Sequence, residues 1–189
     1  FVFRGKHTLF SVIKKEYEDI TVTCTSPSKT FNIAGLQISN IIISNEELRE
    51  KFRKKFNATG YCEPNVMAIA ACEAAYLHGD EWYLAMRDYI RGNIEYTERF
   101  ISDNLPGVTV TEHEATYLVW INFRALGLSD EELDDIIINK AGLWLDSGTM
   151  FGPSGSGFQR INVACPREIL ENALERLKKS LHTFVKPGI

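Results

Sequence analysis

The chain has 189 residues, 44% of them apolar and 24% charged, and a formal net charge of −4. That length suits one ordinary domain or two small ones, and the balance is that of a globular protein without low-complexity tracts. Basic residues form no stripe of the kind that binds nucleic acid, and the apolar runs fall far short of the about 18 residues a membrane-spanning helix needs. Cys24, Cys62, Cys72 and Cys165 are scattered without a Cys-x-x-Cys, so they are expected as buried thiols rather than a disulfide framework, in keeping with a reducing cytoplasm.

Taken in order, the chain opens mid-pattern on Phe1-Val2-Phe3, which reads as the tail of a strand or turn. Residues 4–19 read as a solvated connection partly tucked down by Leu9, Phe10, Val12 and Ile13. A β-branched run over 20–24 and a second over 38–43 predict two strands joined by a polar loop that carries Lys29. Ser44-Asn45-Glu46-Glu47 is a helix-start signature, and Leu48, Phe52 and Phe56 then recur at helical spacing up to Gly60. A second helix, 64–78, is rich in alanine, with Met67, Ala71, Ala74 and Ala75 as its expected packing face. A third, 80–104, carries Trp82, Met86, Ile90, Ile94, Thr97 and Ile101 on one stripe. Leu105-Pro106-Gly107 stops it, and the domain boundary is placed there: 1–104 and 105–189.

The second part alternates strands and helices. Strands are predicted at 108–110, 117–123, 143–145 and 158–163. One helix starts at Ser129-x-x-Glu132 and runs to Lys140. Another starts at Pro166, with Leu170, Leu174, Leu177 and Leu181 on one face. The fold class is α/β with a smaller α+β part.

Metal chemistry finds little support. His7, His78, His113 and His182 lie far apart, and His113-Glu114 lacks the second histidine of a His-Glu-x-x-His helix. The glycine-rich stretch 152–157 is not followed by Lys-Ser/Thr, so it is no nucleotide P-loop; it reads either as a turn before a strand or as backbone that comes close to a ligand. A serine nucleophile at Ser26 or Ser28 lacks the Gly-x-Ser-x-Gly elbow. Lys29 remains. A lysine whose charge is disfavoured in an enclosed site can form a Schiff base with a carbonyl, and hydroxyls in a tight turn suit a phosphate. As a bare Ser-x-Ser-Lys, the segment is equally a solvent-facing turn.

In its longer form, Ser26-Pro27-Ser28-Lys29-Thr30-Phe31-Asn32-Ile33-Ala34-Gly35-Leu36 resembles the cofactor-lysine segment of fold-type-I pyridoxal-phosphate enzymes, within the class I/II aminotransferase family. It is most similar to the MalY/PatB-type cystathionine β-lyase branch. Far downstream, Gly157-Phe158-Gln159-Arg160-Ile161-Asn162-Val163-Ala164-Cys165-Pro166 resembles that family's Arg-x-Asn segment. Ala74-Ala75-Tyr76-x-x-Gly79-x-x-Trp82 and Tyr117-Leu118-Val119-Trp120-Ile121-x-Phe123 look like the same branch.

The resemblance implies a fold-type-I, aminotransferase-like architecture, with 1–104 completing part of a large cofactor-binding α/β domain and 105–189 forming the small α+β domain. It implies pyridoxal 5'-phosphate as cofactor, Lys29 as the lysine that bonds it, and Ser26 and Ser28 as phosphate contacts. Arg160 would bind the α-carboxylate of an amino-acid substrate, and no metal is implied. Many relatives carry an arginine eight residues after the lysine; this chain has Gln37. That departure favours β-elimination from sulfur amino acids over transamination. An aminotransferase remains the alternative, and a non-catalytic module on the same scaffold is a third reading. The resemblance further implies a cytoplasmic homodimer. It places residue 1 after the strand that carries the cofactor-ring aspartate, so the chain is expected to be a C-terminal fragment, inactive alone.

Overall fold

A computed structural model describes residues 1–61 and 63–184. These fall into two compact units, 6–86 and 1–5 with 87–189. The division between these units lies inside the long helix, at residues 86/87. The reason is that the second half of that helix carries its buried side chains.

The 6–86 unit opens with a short helix, α1 (Lys15–Glu18), followed by a two-stranded antiparallel ribbon, β1 (Thr23–Thr25) and β2 (Asn40–Ile42). Both strands are shorter than the apolar runs predicted. Leu9, Phe10, Val12 and Ile13 are all exposed rather than tucked down, though Phe10 stacks on Tyr17 at 4.6 Å. Helix α2 (Glu46–Ala58) begins where expected, and its cap is Asn45, whose side chain accepts from Leu48 N–H. Capping satisfies one of the backbone donors that every helix start leaves free. Helix α3 (Val66–His78) is capped in the same way by Asn65. Its buried residues are Ala68 and Cys72, so the packing face is rotated from the predicted one: Met67 and Ala74 are exposed.

Helix α4 (Asp80–Asn104) has the predicted bounds. Its buried side chains are Ile90, Asn93, Ile94, Thr97, Phe100 and Ile101. Asn93 and Phe100 were not on the predicted stripe, and Trp82 at its start is exposed.

In the second unit, β3 (Thr109–Val110), β4 (Leu118–Asn122), β5 (Asp146–Ser147) and β6 (Phe158–Asn162) form one antiparallel sheet in the order β3-β4-β6-β5. Side chains alternate across the sheet. Val119, Ile121, Gln159 and Ile161 are buried on one face, which leaves Leu118, Trp120, Phe158 and Arg160 on the other. Helix α5 (Asp130–Asp135) starts in a true capping box, with Ser129 and Glu132 bonded reciprocally, and winds on through a π-helical turn, Ile136–Lys140. The last helix, α6 (Arg167–Leu181), buries Leu170, Leu174, Leu177 and Leu181 as the leucine spacing predicts. The strand expected at 143–145 is instead β5, which begins at Asp146; before it, Leu143 is buried and Trp144 is 87% exposed.

Of the cysteines, Cys72 is buried, Cys165 is half-buried and Cys24 is exposed, so burial of all four does not hold. The three are free thiols; Cys62 lies outside the described residues.

Candidate active site

The lysine turn is built by local bonds. Phe31 N–H donates to Pro27 O at 2.9 Å and Ile33 N–H to Ser28 O at 3.0 Å, which closes the chain around Lys29. Asn32 and Gln37 both adopt left-handed backbone, with φ of 54° and 55°. Pro27 is buried and Lys29 is exposed, so the turn is held at its root and presents its amine to solvent. Ser26 Oγ accepts from Ser28 N–H at 3.1 Å, donates to Ile38 O at 2.6 Å and lies 2.8 Å from Ser28 Oγ. One amine and two hydroxyls thus sit within four residues.

Two residues of the Ala74–Trp82 segment support this turn. Phe31 stacks on Trp82 with ring centroids 5.6 Å apart. Gly79 makes room for it: a Cβ there would lie 2.5 Å from the Phe31 ring and would also clash with Ala75 O. Tyr76 Oη lies 3.4 Å from Asn40 Nδ2 on β2. The glycine and the aromatic therefore have a packing role that their spacing alone does not reveal.

Arg160 lies in the other unit, at the middle of β6. Its cross-strand partners are Trp120 on β4 and Asp146 on β5. The three share one face of the sheet, because directly opposed residues point the same way. Asp146 Oδ2 accepts from Arg160 Nε at 3.0 Å and from Nη2 at 2.6 Å. The guanidinium carbon is 4.4 Å from the centre of the Phe151 ring and 5.9 Å from that of Trp120, and those two rings meet edge to face at 5.0 Å. Sequence reasoning found Arg160 but neither Asp146 nor Phe151.

The glycine-rich stretch after β5 is locked rather than loose. Arg124 donates through Nε to Ser156 O and through Nη2 to Ser154 O, and its guanidinium lies 4.5 Å from the Phe158 ring centre. Asp130 accepts from Gly157 N–H and from Ser156 Oγ, each at 2.8 Å. Those bonds, the backbone one foremost, hold its carboxyl below the usual carboxylate range. Gly148 and Gly155 touch backbone to backbone, so neither accepts a side chain. The turn that delivers Phe158 and Arg160 to the sheet is fixed at both ends.

Among the described residues no three metal-type side chains gather, and no helix is long and apolar enough to cross a membrane.

The chain has the fold-type-I, aminotransferase-like architecture of the solved structures it matches. It belongs to the aminotransferase class I and II family, whose model matches residues 1–177. It is 43% identical to cystathionine β-lyase PatB of Bacillus subtilis over 95% of the chain, which is 46% of that protein. It is 32% identical to protein MalY of Escherichia coli over 81% of the chain and 40% of that protein. The crystal structure of cystalysin from Treponema denticola, which contains a pyridoxal 5'-phosphate cofactor, superposes with a TM-score of 0.91 at 39% identity, covering 96% of the chain and 46% of cystalysin. The chain spans less than half the length of these relatives.

Proposed function

We propose that the chain carries the cofactor lysine and the substrate-carboxylate arginine of a pyridoxal-phosphate-dependent carbon–sulfur β-lyase. The observation that carries this reading is the placement of Lys29 within a turn that holds two hydroxyls, in a chain 43% identical to a cystathionine β-lyase. The residues fit the group. Lys29 Nζ would hold the aldehyde carbon, and the hydroxyls of Ser26 and Ser28 would meet the phosphate. Gln37 is uncharged, so part of the phosphate charge is left to other groups.

When bound, the cofactor supplies an electron sink that weakens the bonds at the substrate Cα. Arg160 would hold the α-carboxylate, since its planar fork matches two carboxylate oxygens, and so fix which Cα bond is weakened. The Lys29 amine, once released by incoming substrate, would take the Cα proton. The overall reaction then converts cystathionine and water into homocysteine, pyruvate and ammonia.

Residues 1–104 would belong to the large cofactor-binding domain and 105–189 to the small one. The working form would be a cytoplasmic homodimer. A second reading, an aminotransferase, draws support from the family model itself. Full-length protein incubated with L-cystathionine separates the two. A lyase releases pyruvate with no keto acid present; strict dependence on a keto-acid acceptor would refute the lyase reading.

A further inference from the structure

We propose that Asp146 is the positioning residue of the carboxylate site: it holds one edge of Arg160 so that the other edge faces the substrate. This rests on the reading of Arg160 as the carboxylate-binding arginine.

The geometry is specific to one edge. Both bonds from Arg160, through Nε and Nη2, end on the same oxygen, Asp146 Oδ2. Nη1 has no protein partner among the described residues, so the Nη1–Nη2 end remains open. A carboxylate needs two parallel N–H donors of this kind. The faces of the guanidinium are shared with Phe151 and Trp120, at 4.4 and 5.9 Å. One edge is thus tied and the faces are flanked.

The sheet enforces this arrangement. Asp146 and Arg160 are directly opposed in the β5–β6 register, and Trp120 is opposed to Arg160 from the β4 side. A slip of one residue would carry Asp146 to the buried face. The bonds that pin the intervening loop, from Arg124 and Asp130, keep that register. Asp146 also offsets the positive charge of Arg160. The open end therefore selects a carboxylate by the placement of its donors more than by net charge, which makes the aspartate a specificity determinant of the same site.

The test uses the full-length, cofactor-loaded protein with Asp146→Asn, Asp146→Leu and Arg160→Lys. Two preferences are read: kcat/KM for L-cysteine against cysteamine, which lacks the carboxylate, and equilibrium binding of L-alanine against L-alaninamide. Asp146→Asn keeps an oxygen acceptor and should hold both preferences within about threefold. Asp146→Leu keeps the branching at Cγ without the acceptor and should lower both by about tenfold, through KM far more than kcat, as expected when a binding geometry loosens. Asp146→Ala supplies the same loss of acceptor if the leucine variant does not fold. Wild-type preferences in Asp146→Leu, or tighter L-alanine binding, would overturn the proposal, the latter by making Asp146 a competitor. If Arg160→Lys also keeps wild-type preferences, the assignment of Arg160 itself fails, and the two failures are told apart.

Discussion

Replacing Asn93 by alanine should be among the most damaging single changes in the 87–189 unit. Asn93 is fully buried on α4, and its amide spans the chain that leaves β6. Nδ2 donates to Val163 O at 2.8 Å and to Cys165 O at 2.9 Å, and Oδ1 accepts from Arg167 Nε at 2.8 Å. Truncation leaves two carbonyls without this donor and a guanidinium without this acceptor. At about 1 kcal/mol for each neutral bond and about 2 for the charge-assisted one, the expected loss is about 4 kcal/mol. In a chain of this size that is a fall of about 10 °C in Tm. Urea and thermal unfolding of wild type and Asn93→Ala measure it. Asn93→Asp keeps the acceptor for Arg167 but turns an oxygen towards two carbonyls, so it should be no better than alanine. A loss below about 1 kcal/mol in Asn93→Ala would refute the reasoning, since it would mean that the three bonds do not carry the β6 exit.

Gly79→Ala places a Cβ against the Phe31 ring and should cost about 1–3 kcal/mol through overpacking. Phe31→Ala in the same chain should recover part of that loss, and additive losses in a double-mutant cycle would speak against the contact. The carboxyl of Asp130 is held below its ordinary pKa by the Gly157 N–H and the Ser156 hydroxyl. A depressed carboxyl contributes stability that is present above its unfolded pKa, near 4, and is lost as pH falls through its lower folded value. Asp130→Asn should therefore flatten the acid limb of the stability curve below about pH 4 and lower stability at neutral pH. An unchanged acid limb would show that the Gly157 and Ser156 bonds do not tune it.

What was legible in the sequence was local. The Ser129–Glu132 capping box, the bounds of α4 and the leucine face of α6 all depend on neighbours within a few turns, and the structure bears them out. Arg160 was singled out because its segment resembles a known one. Its partner was not: Asp146 lies 14 residues away, and the pairing exists only through the β5–β6 register. The apolar trio 143–145 drew the predicted strand towards itself, although Trp144 points into solvent. The face of α3 was misplaced because alanine-rich helices show little polar contrast between their sides. Gly79 and Phe31, 48 positions apart, are joined by a packing contact that no periodicity records. The glycine-rich stretch read as a turn of open purpose because Arg124 and Asp130, which lock it, lie more than 20 residues upstream.

The most direct test of the central claim is chemical. Full-length protein loaded with pyridoxal 5'-phosphate is reduced with borohydride, which converts the lysine–cofactor C=N bond to a stable C–N bond, and is then digested and mapped by mass. The expected result is a phosphopyridoxyl group on Lys29, absent from Lys29→Ala. A group fixed on another lysine, or on none, would contradict the account.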